Sequence, residues 1–229
     1  MKKSETDNWF ERVWEYREEV IYPKLFGKVE RGIFTLTVDF FDEYFKQETI
    51  DPRWLHYGVL EYAPSPKRSS WLYVTSAMSN AWEDQKPNKN GPSGFGSEFV
   101  FETTMQSEWA IYRLLHLMAF QILLRHGRFP GRDSLELYHR IPLRTSITPG
   151  TSSIRWLILL PPQTYPSRFQ LESGWVDLFA VVGITPSEAA FARKHDGKND
   201  NAILKLLQKH GAFPVTDPTR KCIIRSGNK

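Results

Sequence analysis

The sequence predicts an α/β (α+β) fold in which a central buried helix and further helices pack on one mixed, twisted β-sheet. Segments with strand-like patterns are interleaved along the chain with helical ones. One long segment, 107–125, is apolar on nearly every side, which is typical of a helix covered by protein on several faces. No internal repeat and no linker divides the 229 residues. We therefore expect a single domain spanning 1–229.

An N-terminal helix is expected within residues 1–24. Trp9, Phe10, Val13 and Trp14 form an apolar stripe at helical spacing, and either Asn8 or Asp7 can cap the first turn. A proline disfavours helical geometry in the residue before it, so Tyr22-Pro23 is predicted to end the helix. The charged side chains are placed on the solvent side: Glu11, Arg12, Glu15, Arg17, Glu18 and Glu19.

Four closely spaced strands are predicted next, over 33–40, 55–62, 71–74 and 95–103. Short connections of this kind favour an antiparallel meander. In the fourth strand Phe95, Phe99 and Phe101 share one face, and Gly96, Glu98 and Glu102 share the other. Glu98 and Glu102 are therefore expected to be solvated, about 13 Å apart by strand rise.

The central helix is expected to begin after Ser107 and to end at Gly127. Continuous apolar runs predict central strands at 154–160 and 175–184. Thr185, Pro186 and Glu188 then have the spacing of a capping box and predict a helix to about residue 195. A last helix begins at Asp200 or Asn201. Residues 221–229 are expected to form a flexible tail, and the cations of the C-terminal group that starts at Arg220 are expected to be solvated.

Composition narrows the function classes. The formal net charge is +4, and Lys and Arg are scattered rather than gathered on one face, so nucleic acid is not an expected partner. The central helix is short for a bilayer span and carries charged residues, and no secretory signal is expected, so no membrane partner is predicted. The one cysteine, Cys222, allows no intramolecular disulfide, and this fits a reducing cytoplasm.

No catalytic constellation is apparent, and the protein is not expected to be an enzyme. The six histidines lack metal-binding spacing, and the glycine-rich turn 91–96 is neither a nucleophile elbow nor a Walker loop. A backbone anion site at this turn stays open as an alternative. We predict no catalytic residue, no cofactor and no metal ligand.

A polar connection, 79–90, carries the candidate binding residues Trp82, Glu83, Asp84 and Asn90. A tryptophan on a polar loop either tucks beneath it or serves as an anchor for a partner, because tryptophan is enriched at interface hot spots. The residues alone leave both interpretations open.

Three ordered motifs resemble the Suppressor of fused domain family. The first is the turn and strand at 91–103, in which Gly91, Pro92, Gly94, Phe95, Gly96 and Glu98 carry the likeness. The second is Phe-Ala-Val-Val-Gly-Ile-Thr at 179–185, and the third is the segment 211–220, which includes Asp217.

The resemblance implies a non-catalytic protein-binding module of the short bacterial type. In animal members this region lies by a groove that takes an extended peptide of a Gli transcription factor as an added strand. The loop aromatic falls at Trp82, where the animal protein has tyrosine, and the acidic position falls at Asn90, so Gli binding itself is not implied. Short bacterial members resemble immunity proteins that bind and neutralise a toxin domain.

Three hypotheses follow. The first is an immunity protein of a polymorphic or contact-dependent toxin system. The second is a cytoplasmic scaffold that binds a peptide along an exposed strand edge. The third is an enzyme with an anion site at the 91–96 turn.

Overall fold

The computed structural model describes residues 8–82, 86–195 and 201–224. The helices are α1 (Trp9–Tyr16), a π-helical turn (Arg17–Ile21), α2 (Tyr22–Phe26), α3 (Val38–Phe45), a 3₁₀ turn (Pro52–His56), α4 (Glu108–Arg125), α5 (Pro186–Lys194) and α6 (Ala202–Lys209). The strands are β1 (Arg31–Thr35), β2 (Gly58–Tyr62), β3 (Trp71–Ser76), β4 (Pro92–Thr103), β5 (Arg140–Pro142), β6 (Trp156–Leu160), β7 (Arg168–Leu171), β8 (Gly174–Ile184) and β9 (Val215–Thr216).

The described strands form one mixed sheet, so the predicted fold class is confirmed. Its order is β1-β2-β3-β4-β8-β6-β5, with β7 paired to β8 and β9 paired to β4. The first four strands are antiparallel neighbours, as the meander prediction requires. Strands β4 and β8 then run parallel, with Phe99 opposite Phe179. A single sheet thus runs through the chain and makes it one domain.

Both faces of the sheet are covered. On one face α4 packs against Phe99, Phe101 and Phe179. On the other face side chains of the N-terminal helical segment, α5 and α6 pack over residues that include Val100 and Val182. A strand side chain on either face is therefore buried in the middle of the sheet, whatever its polarity.

The helix ends follow from local chemistry. Helix α4 begins after Ser107, although the Ser107 hydroxyl donates to the Met105 carbonyl at 2.7 Å instead of capping the helix. Gly127 follows the C-cap with φ of +67°, a conformation that glycine adopts without steric cost. The predicted capping box of α5 is present, with the Glu188 carboxylate accepting from the Thr185 N–H at 2.8 Å.

Two predicted elements are wrong in detail. Tyr22-Pro23 does not end the N-terminal helix, because the chain stays helical through the π-helical turn and continues into α2, with Pro23 in its first turn. The helical segment ends at Gly27 instead, with φ of +93°. The predicted strand 33–40 stops at Thr35. The Thr37 side chain then accepts from the Phe40 N–H at 3.1 Å and starts helix α3.

Candidate partner-binding surface

The connection between β3 and β4 holds the residues that the sequence singled out. Trp82 lies at the end of its first part, and Asn90 lies exposed at its far end, beside Gly91. Glu83 and Asp84 lie outside the described residues. The described parts of the connection are held from two sides, by the N-terminal helical segment and by the start of β8.

Trp82 is half-buried against helix α1 and the 3₁₀ turn. Its ring meets the Trp14 ring edge-on, with centroids 4.9 Å apart, and the His56 ring at 5.9 Å. The Arg53 guanidinium lies over the Trp82 ring, 5.6 Å from its centroid. The Trp14 Nε1 also donates to the Ala81 carbonyl at 3.1 Å. The Trp82 ring is therefore partly tucked against α1 and the 3₁₀ turn, and the rest of it stays exposed, as an anchor for a partner would require.

The glycine-rich turn packs against protein atoms on its inner side. Gly94 has φ of +55°, and a Cβ atom there would lie 2.5 Å from the Asn80 carbonyl oxygen and 2.7 Å from that of Met78. The Phe95 N–H donates to the Met78 carbonyl at 2.7 Å. The buried Ser93 hydroxyl bonds the Ser79 carbonyl at 2.7 Å. The turn is therefore locked onto the 77–80 bend.

Glycines also bring the turn close to β8. The Gly91 carbonyl accepts from the Trp175 N–H at 2.9 Å. Gly174 has φ of +145°, and a Cβ atom there would lie 2.5 Å from the Gly91 carbonyl oxygen. Gly96, with φ of +72°, leaves room for the Pro92 ring and the Trp175 ring. These contacts explain why glycine is required at Gly96 and Gly174, where the backbone conformation and the close neighbours leave no room for a side chain.

Glu98 is fully buried beneath the 77–80 bend, so the prediction of a solvated acid is wrong. Its Oε1 accepts from the Ser79 N–H at 2.9 Å and the Ser79 hydroxyl at 2.6 Å, and its Oε2 accepts from the Thr75 hydroxyl at 2.6 Å. Burial raises the pKa of Glu98, while the positive charge of Arg17 and these hydrogen bonds oppose the rise. Sequence alternation placed Glu98 on a polar face, but that face lies under the helical layer.

Arg17 is the cation that reaches this carboxylate region from the helix. We expected it on the solvent side, yet only 1% of its side chain is exposed. One nitrogen, Nη1, donates to Ser79 Oγ at 3.0 Å and to Asn80 Oδ1, and the other, Nη2, donates to Ser76 Oγ at 3.1 Å. Arg17 is the first residue of the π-helical turn, which breaks the regular 3.6-residue pattern.

Glu102, four residues further along β4, is also buried and was likewise predicted to be solvated. It accepts a hydrogen bond from the Ser70 hydroxyl, and burial raises its pKa. The nearby Arg68 guanidinium is buried as well and donates mainly to backbone carbonyls, including that of Ala63 at 2.5 Å. This second polar group braces the far end of β4.

The C-terminal segment is fastened by another buried carboxylate. Arg220 was expected to be solvated, but it donates to both oxygens of Glu188, at 2.7 and 2.6 Å. Burial alone would raise the pKa of Glu188. The Arg220 charge and the hydrogen bonds from Arg220 and from backbone N–H groups have the larger combined effect, so the pKa of Glu188 lies below the usual value. The Ile223 N–H adds a third contact at 3.0 Å.

Asp217 accepts from the Thr219 N–H at 2.8 Å and closes the turn that precedes Arg220. Residues 221–224 belong to this segment, and 225–229 lie outside the described residues.

An open cleft of about 430 Å³ lies beside Trp82, between α1 and the π-helical turn on one side and the ends of β1–β3 on the other. Four acidic side chains line it, together with Trp14 and His56: Glu11, Glu15, Glu18 and Glu19.

In the described part of the chain, no group of three or more His, Cys, Asp or Glu side chains is arranged to hold a metal ion. His116 lies outside this surface, half-buried among aromatic rings, and burial lowers its pKa.

The model of the Suppressor of fused protein family matches residues 53–221 of this chain. The chain belongs to that family. The match covers the glycine-rich turn, both central strands and the Glu188–Arg220 segment. No curated protein matches the chain in sequence.

Solved structures show the same fold. A chain of the Sufu–Fu complex crystal structure aligns with a TM-score of 0.64 at 16% identity, over 93% of this chain and 91% of that one. A Suppressor of fused homologue from Neisseria gonorrhoeae aligns with a TM-score of 0.62 at 17% identity, over 93% and 99% of the two chains. Drosophila Suppressor of Fused aligns with a TM-score of 0.55 at 16% identity, over 73% of this chain and 42% of that chain.

Among the described residues, no helix has both the length and the apolar character that a membrane crossing requires.

Proposed function

We propose that this protein is a non-catalytic protein-binding module, and that it acts in the cytoplasm as an immunity protein that binds and neutralises a bacterial toxin domain. The observation that carries the proposal is the buried network of Arg17, Ser79 and Glu98. It joins the N-terminal helical segment, the 77–80 bend and β4 into one rigid unit. The half-exposed Trp82 is presented at the edge of this unit.

Preorganisation of this kind suits inhibition by binding. A surface that is already ordered loses little conformational entropy when a partner docks, so more of the contact energy appears as affinity. Trp82 and Trp14 provide aromatic area with a supported ring, which is typical of interface hot spots. Membership in the Suppressor of fused family and the likeness to a chain of the Sufu–Fu complex support protein binding as the general activity.

A peptide scaffold that uses a strand edge is the second candidate. The main strand order ends at β1 and β5, and the short strands β7 and β9, of four and two residues, pair only with β8 and β4 among the described strands. The β1 pairing is irregular between Arg31 and Phe34, and β5 has three residues and ends at Pro142. Short and irregular edges are poor templates for strand addition. The supported side-chain surface around Trp82 therefore favours the immunity hypothesis over the strand-edge hypothesis.

The third candidate, an enzyme with an anion site at the 91–96 turn, has less support. The Phe95 N–H is already donated to the Met78 carbonyl, and the Ser93 hydroxyl lies 2.6 Å from that of Ser173. Glu98 is enclosed by hydroxyl and backbone donors. These groups bond to the protein itself, which leaves them poorly placed to receive a substrate.

The proposal predicts a toxin reading frame beside this gene, and the test is calorimetric titration against the toxin domain that it encodes. We expect a stoichiometric complex, and Trp82→Ala should weaken it by roughly 2 kcal/mol or more while the domain stays folded. Trp109→Ala is the matched control, because Trp109 is also half-buried but lies in helix α4 and packs against Phe101, away from the 79–90 connection. Absence of binding at micromolar concentrations would remove the immunity hypothesis. Equal weakening by both variants would show that Trp82 acts only through folding.

A further inference from the structure

The cleft beside Trp82 is acidic on a protein whose formal net charge is +4. Glu11, Glu15, Glu18 and Glu19 line it, and Arg17 is the cation among its lining residues. Glu15 and Glu19 are exposed, and in the described part of the chain neither makes a hydrogen bond or an ion pair. Their negative potential is therefore directed to solvent, where it attracts a positive group.

Arg17 does not neutralise this potential at the rim, because its Nη atoms are engaged below it. They donate to Ser76, Ser79, Asn80 and Glu18. Its Nε is buried and has no hydrogen-bond partner. The Arg17 charge is therefore held inside the protein, while Glu15 and Glu19 are exposed to solvent.

An apolar flank borders the acids. Tyr16 and Val20 are exposed on the same helical segment, each one residue beyond Glu15 and Glu19, and Ile33 is exposed where β1 lines the cleft. Exposed apolar side chains next to unpaired charges are typical of a surface that another protein covers. A small inorganic cation would use the carboxylates and leave this flank bare.

We propose that the cleft binds a polypeptide partner through an arginine or lysine side chain, which lies among Glu11, Glu15, Glu18 and Glu19. Apolar neighbours of the basic residue cover Tyr16, Val20 and Ile33. This inference rests on the proposed protein-binding function and specifies the chemistry of the partner. It assigns the partner a basic contact face even though the binding protein is itself basic overall.

The experiment is a titration of the isotope-labelled protein with acetyl-leucyl-arginyl-leucine amide, followed by NMR chemical shifts. We expect saturable shifts at residues around the cleft at millimolar peptide, and much weaker ones with the neutral citrulline analogue. Glu15→Gln/Glu19→Gln should weaken arginine-peptide binding by roughly three- to tenfold, since each exposed charge contact is worth a few tenths to one kilocalorie per mole. These two acids have no partners in the described fold, so the variant is expected to stay folded.

Glu136→Gln/Glu172→Gln is the matched control, because it removes two exposed acids away from the cleft and changes the net charge equally. Equal weakening in the control would show non-specific attraction and overturn the inference. So would equal binding of the arginine and citrulline peptides, or no shifts with either. Agmatine that bound as tightly as the peptide would overturn the polypeptide assignment. A toxin complex that forms normally with the Glu15→Gln/Glu19→Gln variant would overturn the inference and leave the proposed function standing.

Discussion

Replacement of Arg17 tests whether the buried network holds the N-terminal helical segment on the sheet. Arg17→Met keeps most of the side-chain volume but removes the donors to Ser76, Ser79 and Asn80, together with the positive charge near Glu98. Loss of one partner from a buried charged network costs about 3–5 kcal/mol. In a domain of this size each kilocalorie per mole lowers Tm by about 2–4 °C, so we expect a fall of roughly 6–20 °C.

The pH dependence gives a second readout of the same variant. Burial already raises the pKa of Glu98, and without Arg17 it should rise further. A carboxyl with a raised folded-state pKa binds its proton more tightly in the folded protein than in the unfolded chain. The penalty is therefore present above the folded pKa and disappears below the unfolded pKa, near 4.3. Relative to the wild type, Arg17→Met should regain stability as the pH falls through the raised folded-state pKa of Glu98.

Urea denaturation at several pH values measures both effects. Arg168→Met is the control, because Arg168 pairs with Asp177 at 2.6 Å but half of its side chain is exposed. Such pairs are worth at most about 1 kcal/mol. A cost for Arg17→Met below about 1 kcal/mol, or one that does not change with pH, would refute the reasoning.

Two further predictions concern the turn and the C-terminal segment. Gly94→Ala should lower the free energy of unfolding by about 2 kcal/mol or more, because its Cβ would clash with the Asn80 carbonyl. Gly131→Ala is the control, since Gly131 has φ of +73° but open space around it, and it should lower the free energy of unfolding by about 1 kcal/mol. Equal losses of stability in the two unfolding curves would contradict the steric argument. Arg220→Gln should destabilise the protein by about 3 kcal/mol at neutral pH, because it strips the buried Glu188 of its cation. The lowered pKa of Glu188 contributes stability above its unfolded pKa that is lost as the pH falls through its folded pKa. The variant should therefore differ less from the wild type in acid, and a difference that grows in acid would contradict the assignment.

Much of the fold could be predicted from local pattern. The capping box at Thr185 and Glu188 is a short-range device, and the structure shows both of its hydrogen bonds. Helix α3 was missed because Phe34, Leu36, Val38 and Phe40 alternate like a strand. The signal that ends this strand is Thr37, whose hydroxyl is placed to accept from the N–H three residues later.

The buried polar network could not be predicted from alternation. A period-2 pattern tells which strand residues share a face, but it does not tell whether that face is later covered. The cover over Glu98 is the helical segment more than 70 positions earlier in the chain, and Arg17 reaches the cluster from a π-helical turn. Ser76 at the end of β3 and Ser79 and Asn80 just after it are a signal of buried hydrogen bonding, but the polar pattern of 79–90 favours a solvent-facing loop that includes Ser79 and Asn80.

The parallel pairing of β4 with β8 has a consequence during translation. The N-terminal meander is finished by Thr103, but the strand that covers the other edge of β4 starts at Gly174. A nascent chain that pauses between these points leaves the backbone groups along one edge of the twelve-residue strand β4 unpaired, and such edges associate with other chains. Slow translation between Thr103 and Gly174 should therefore favour association between nascent chains. Rapid synthesis of the second half of the chain should suppress it.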